Sequence, residues 1–158
     1  MKKGLAIAVM MGCLLGLFGC AKKVPVPSDA EKGTMLFDYY FAVVGLPVDA
    51  GHHEIVLNAY SADEVELVAY EADGSGKEQS KSYIVPIKAL EDVYKVVHDH
   101  KMDKWEGNYG PSGFEGATHV VKFLKDNELI RVSTDEMPAD GVAVFTEIDR
   151  ILSGYVDK

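Results

Sequence analysis

The stretch EIVLNAYSADEVELVAYEA, residues 54–72, decides the fold class. Two runs, EIVLNAYS (54–61) and EVELVAYEA (64–72), are separated by at most Ser61, Ala62 and Asp63. In the second run, Val65, Leu67 and Ala69 alternate with Glu64, Glu66 and Val68, the two-residue period of a strand with one face buried. A connection this short joins antiparallel neighbours, so the stretch predicts a β-hairpin.

Upstream, TMLFDYYFAVVG (34–45) is rich in aromatic and β-branched residues and predicts another strand. GLPVDAGHH (45–53) reads as a turn region punctuated by Gly45, Pro47 and Gly51. Downstream, DGSGKEQSK (73–81) reads as a turn and SYIVP (82–86) as a short strand ended by Pro86. From Ile87 the period becomes helical. Ile87, Leu90, Val93, Tyr94 and Val97 form one apolar stripe among Lys88, Asp92, Lys95 and Asp99, with an end expected near Asp103. Gly107, Gly110, Pro111, Gly113 and Gly116 then break regular structure. THVVKFLKD (118–126) and ELIRVST (128–134) predict a second hairpin turning at Asp126-Asn127. Pro138 is expected in the first turn of a last helix, with apolar face Val142, Phe145, Ile148, Ile151, Leu152 and Tyr155, interrupted by Gly141.

The sum is one α+β domain over residues 34–158: an antiparallel β-sheet of about five to six strands with two helices packed on one face. Nothing alternates as βαβ, which disfavours a doubly wound parallel fold.

The N-terminus has a different character. Lys2 and Lys3 precede an apolar run from Gly4 to Phe18, the layout of a secretory signal peptide. About 20 apolar residues are needed to span a bilayer, and Lys22-Lys23 closes this shorter run. Its end, Leu17-Phe18-Gly19-Cys20, resembles the lipobox of bacterial lipoprotein precursors. That resemblance implies cleavage after Gly19 and lipidation of Cys20. Residues 1–19 are then a signal peptide, and residues 20–33 the lipidated cysteine and a tether holding two prolines and no apolar period. Several acyl chains anchor stably where a single one binds marginally, so the membrane is a partner through Cys20 and the domain faces outside the cytoplasm. Ala21 in place of Asp is similar to lipoproteins sent to the outer membrane of a two-membrane host. In a one-membrane host the address is the outer leaflet of the cell membrane.

The whole chain carries 16 basic and 25 acidic side chains, net -9, and losing Lys2 and Lys3 with the signal peptide takes it to -11. Such a surface disfavours nucleic acid, whose phosphates require clustered Lys and Arg. Cys13 and Cys20 are the two cysteines, so the domain has neither a disulfide nor thiol chemistry of its own.

No spacing singles out a catalytic group, and no G-x-S-x-G, H-E-x-x-H, phosphate-binding glycine loop or CxxC occurs. His98 and His100 sit two apart on a helix, about 200° around its axis, too far apart to grip one ion together. His52 and His53 are adjacent at a strand start and face opposite sides. His119 is expected on a sheet surface. DGSGKE (73–78) lacks the carboxylate that a calcium loop places at its twelfth position. No catalytic residue, metal or cofactor is therefore assigned. Trp105, Tyr109 and Phe114 lie within ten residues of glycine-rich chain and fit two roles: a recognition loop, or a plug in which Trp105 tucks over the helix it follows.

The order of helix, Trp105-Glu106-Gly107, glycine-rich loop, hairpin and proline-started helix is similar to small uncharacterised bacterial lipoproteins, a resemblance that implies a fold and no chemistry. The expectation is a lipid-anchored, non-enzymatic envelope protein contacting an envelope protein or small ligand. The alternative is a lipid-anchored envelope hydrolase or enzyme inhibitor, which a buried cluster bringing His119 or His53 beside carboxylates would favour.

Overall fold

The computed structural model describes residues 26–27, 29–43, 52–72, 77–105, 118–134 and 137–156. Its elements are β1 (Met35–Ala42), β2 (His52–Ala59), β3 (Glu64–Ala72), β4 (Glu78–Pro86), α1 (Lys88–Asp99), a 3-10 turn (Met102–Lys104), β5 (Thr118–Lys125), β6 (Glu128–Ser133) and α2 (Gly141–Val156). The strands form one six-stranded sheet in the order β4-β3-β2-β1-β5-β6, with every neighbouring pair antiparallel. The expected α+β architecture is the observed one.

The hairpin of residues 54–72 forms with Glu54 opposite Tyr70 and Ala59 opposite Val65. Val65, Leu67 and Ala69 turn into the core, as the alternation requires. In the second hairpin Lys125 pairs with Glu128, and the two turn residues, Asp126 and Asn127, both take positive φ, 50° and 65°. A two-residue turn of that hand matches the twist of its strands. Both edge strands carry charges along their length, Glu78 and Lys81 on β4 and Glu128 and Arg131 on β6, which discourages further strand addition.

β1 ends at Ala42 and β2 runs His52–Ala59, two residues earlier at both ends than EIVLNAYS, and three further ends depart from the sequence expectation. β4 begins four residues before SYIVP, because Glu78–Lys81 continue the backbone ladder with β3 while their side chains stay exposed and leave no apolar signal. α1 ends at Asp99, where Lys101 takes a left-handed φ of 51° and the chain tightens into the 3-10 turn. Pro138 lies before α2, in a turn where the Gly141 N–H donates to the Pro138 carbonyl at 2.9 Å.

One irregularity organises the core. Between Met35 and Phe37 the register of β1 against β2 slips, making Leu36 an extra residue. A bulge of this kind lets consecutive side chains serve the same interior, and Leu36 and Phe37 are both buried. The Tyr94 hydroxyl of α1 lies 2.9 Å from the Leu36 carbonyl and 2.6 Å from that of Leu124 on β5. Its single proton can be donated to either carbonyl oxygen. Burial pushes this phenol above its ordinary range, so it stays protonated as a donor. Its ring also packs against Phe37 and edge-on against Phe123.

Gly141, an apparent interruption of the last apolar face, is required by packing. A Cβ there would come within 2.5 Å of Met137 Cβ, whereas one at Gly154 would meet nothing within 4 Å. Urea unfolding should therefore show opposite effects. Gly141→Ala is expected to lose about 1–3 kcal/mol through overpacking, and Gly154→Ala to gain up to about 1 kcal/mol from helix propensity. Tyr94→Phe, which leaves two carbonyls without that donor, should cost about 1–3 kcal/mol in the same assay.

Candidate functional site

At the end of the sheet nearest the start of α2, the ladder sets three side chains in one row on the helix-covered face. Phe41 of β1 pairs with His53 of β2 and with His119 of β5. The backbone of His119 is held by Thr134, whose Oγ1 accepts from the His119 N–H at 2.6 Å and lies 3.1 Å from its carbonyl. One row further in, the Tyr39 hydroxyl lies 3.1 Å from His119 Nδ1. α2 closes over the row. Phe145 stacks on the His119 ring at 5.1 Å and 7°, and Phe41 meets it at 4.9 Å. One helical turn beyond Phe145, Asp149 Oδ1 lies 3.7 Å from His53 Nε2.

This corrects the expectation for His119. It is 9% exposed, not a sheet-surface residue, because α2 covers its face and aromatic rings flank the imidazole. Burial holds the imidazole below its ordinary value, with the Asp149 charge opposing. Burial, reinforced by Asp149, raises the Tyr39 phenol. At neutral pH the Tyr39–His119 pair is thus an uncharged hydrogen bond inside an aromatic stack, well suited to hold β1, β5 and α2 together. His53 and Asp149 are more open, with 27% and 42% of their side chains exposed. The buried His53 Nε2 makes no hydrogen bond, and its approach to Asp149 is an ion-pair distance beyond hydrogen-bond reach. The structure thus brings His53 and His119 near one carboxylate, which sequence spacing could not show.

Trp105 follows the 3-10 turn. Its Nε1–H donates to the His100 carbonyl at 3.0 Å, and its ring meets Phe145 edge-on at 5.9 Å and 89°. Both contacts hold Trp105 against the end of α1 and against α2. Tyr109, Phe114 and Cys20 lie outside the described residues. His98 and His100 are exposed. His52 turns to the opposite face from His53 and stands 3.6 Å from Glu78. Among the described residues no three His, Cys, Asp or Glu side chains gather as a metal site.

The open face of the sheet holds a second polar group that sequence reasoning missed. Asp38, at the middle of the central strand, has a side chain only 3% exposed, and its Oδ2 accepts from Lys122 Nζ at 2.5 Å. Its Oδ1 is buried and has no hydrogen-bond donor. Glu54 stands diagonally beside it, since Tyr40 pairs with Glu54 and Asp38 with Val56. Glu54 is raised above its ordinary value by burial, then by the charge of Asp38 and by the hydrogen bond that a protonated Glu54 can donate to it, against Lys122 and His52. A signal for this group existed in the sequence: Asp38 is the one charged residue in MLFDYYFA.

Between α1 and α2 runs an open groove of about 480 Å³, with Val96, Ile151 and Gly154 among its lining and Asp92, Lys95, Glu147 and Arg150 along it. Lys88 pairs with Asp92, and Lys95 with Asp99, along α1. No protein-family model matches this chain, and no curated protein is significantly similar to it.

The buried neutral imidazole has a pH consequence. The native ring takes up a proton less readily than the unfolded chain, whose histidine has its ordinary value of 6.5. Its stabilising share is complete above that value and is lost as pH falls through the lower native one. His119→Gln should be less stable than wild type at pH 7.5. The gap between their melting temperatures should narrow towards pH 5; a gap that does not change with pH would contradict a neutral buried ring.

Proposed function

We propose that this chain is the precursor of a lipid-anchored, non-enzymatic envelope protein, attached through Cys20, whose α+β domain contacts an envelope protein or a small ligand. The observation that carries the reading is Leu17-Phe18-Gly19-Cys20 at the end of a basic-then-apolar leader, followed by a proline-containing tether. Among the described residues no helix is long and apolar enough to cross a membrane, and an acyl anchor needs none. The acidic balance supports a protein rather than a nucleic-acid partner. The groove between α1 and α2 is within the size range of small-ligand sites.

One observation favours the second reading, an envelope hydrolase or enzyme inhibitor. His53 and Asp149 lie 3.7 Å apart and partly exposed, and the charge of Asp149 also acts on the Tyr39–His119 pair backing them. The contact reading is preferred because Tyr39 and His119 are themselves buried, so the backing pair cannot reach a substrate.

Membrane fractionation tests the anchor. Wild type should sediment with membranes and incorporate a fatty-acid label, and Cys20→Ala should do neither. Label retained by Cys20→Ala would sink the proposal. For the domain, cross-linking in intact cells with wild type and an Asp149→Asn variant separates the readings. Unchanged partners support contact, whereas a trapped substrate or altered partner turnover supports the enzyme.

A further inference from the structure

We propose that Asp38 and Glu54 hold one proton between them, a carboxylic acid–carboxylate pair that fastens β1 to β2 on the open face and loosens when the proton leaves. The argument begins with the orphaned Asp38 Oδ1, buried and without a donor. Buried acceptors are nearly always paired, and the orphan sits on the central strand, where a missing partner costs most. Lys122 reaches only Oδ2. Two ionised carboxylates have no donor to offer each other. A proton on Glu54 supplies the missing donor and removes one of two like charges held side by side, the arrangement that makes neighbouring carboxylates share a proton.

The surrounding charges fit a pair of net charge -1. From β1 the neighbour is Tyr40, opposite Glu54. From β2 it is His52, whose ring lies tilted against Tyr40 at 5.5 Å and faces Glu78 of β4 at 3.6 Å. From β3 Tyr70 pairs with Glu54, while Glu66 is occupied with Ser82 of β4. β5 presents Lys122, and Arg131 of β6 pairs with Lys122 across the ladder. Lys122 is bonded to the pair through Asp38 Oδ2, an ammonium held by one of the two carboxyl groups. Release of the proton to solvent leaves two carboxylates against that ammonium and returns Oδ1 to its orphan state.

The sign of the effect follows. The native pair binds its proton more tightly than the unfolded chain, where Glu54 has its ordinary value of 4.5. Its contribution to stability is present at low pH and is lost as pH rises above that value. This is opposite to the acid loss usual for surface carboxylates, and opposite to the effect of His119. On a domain facing outside the cytoplasm it would make this sheet firmer in a mildly acidic medium than in an alkaline one.

The test is the melting temperature of Glu54→Gln minus that of wild type, measured on the purified full chain from pH 5 to pH 8. The amide donates to Oδ1 at every pH, and the His119 effect cancels because both proteins carry it. The expected difference is within about 1 °C at pH 5, rising to about 2–4 °C in favour of Glu54→Gln at pH 8. A difference that stays flat across the range, or that grows against the variant as pH rises, would overturn the proposal. If the variant fails to fold, carboxyl ¹³C titration of wild type decides. A Glu54 midpoint well above the ordinary value, with a coupled response at Asp38, is expected; independent titration of Glu54 at its ordinary value would refute the shared proton.

Discussion

The fold depends on how the Leu36 bulge is satisfied. An extra residue in the central strand interrupts the ladder where β1 meets β2, close to where β5 ends its pairing with β1. The Tyr94 hydroxyl, held rigidly on α1, lies within hydrogen-bonding reach of carbonyls on β1 and β5. Without that donor, burying the carbonyls would cost about 1–3 kcal/mol. With it, Leu36 and Phe37 both enter the core, and α1 is fixed in height and rotation against the sheet. The angle and depth of the helical layer, and hence of the groove between α1 and α2, follow from this contact.

The two faces of the sheet handle polarity differently. On the helix-covered face, the polar atoms of Tyr39 and His119 are hydrogen-bonded as neutral partners and enclosed by Phe41 and Phe145. The chain of rings continues to Trp105 through Phe145, so this end of the domain is joined by one aromatic stack crossing β1, β5, α2 and the 3-10 turn. The open face places charge at its centre, with Asp38, Glu54 and Lys122 on three adjacent strands. Neutral pairs suit a dry interior, while buried charges are tolerated only when paired. That difference explains why the two faces respond to pH with opposite signs.

Much of the fold was legible because it rests on period. Val65, Leu67 and Ala69 declared one face of β3, and Leu90, Val93, Tyr94 and Val97 declared one face of α1. Asp126-Asn127 announced a turn through the tolerance of those residues for positive φ. What escaped had no periodic signal. Glu78–Lys81 are strand by backbone pairing alone, and Lys101 ends α1 through a conformation that its residue type does not favour. The polar clusters escaped for a different reason. Tyr39 and His119 are 80 residues apart, and only strand order and the covering helix make them partners. Asp38 was visible as a charge in an apolar strand, yet its meaning required knowing that Lys122 and Glu54 flank it. Trp105 fitted two roles in the sequence, and its bond to the His100 carbonyl depends on a turn geometry that no spacing rule displays.

The proposed address and the described domain divide the chain cleanly. In the proposed reading the leader and its cysteine supply attachment, and the sheet with its two helices supplies a body without thiols. The most direct measurement is the intact mass of the protein extracted from membranes with detergent. A chain beginning at Cys20 and heavier than its residues by the mass of attached acyl groups is the predicted result. A chain carrying no lipid on Cys20, or one retaining residues 1–19, would contradict it.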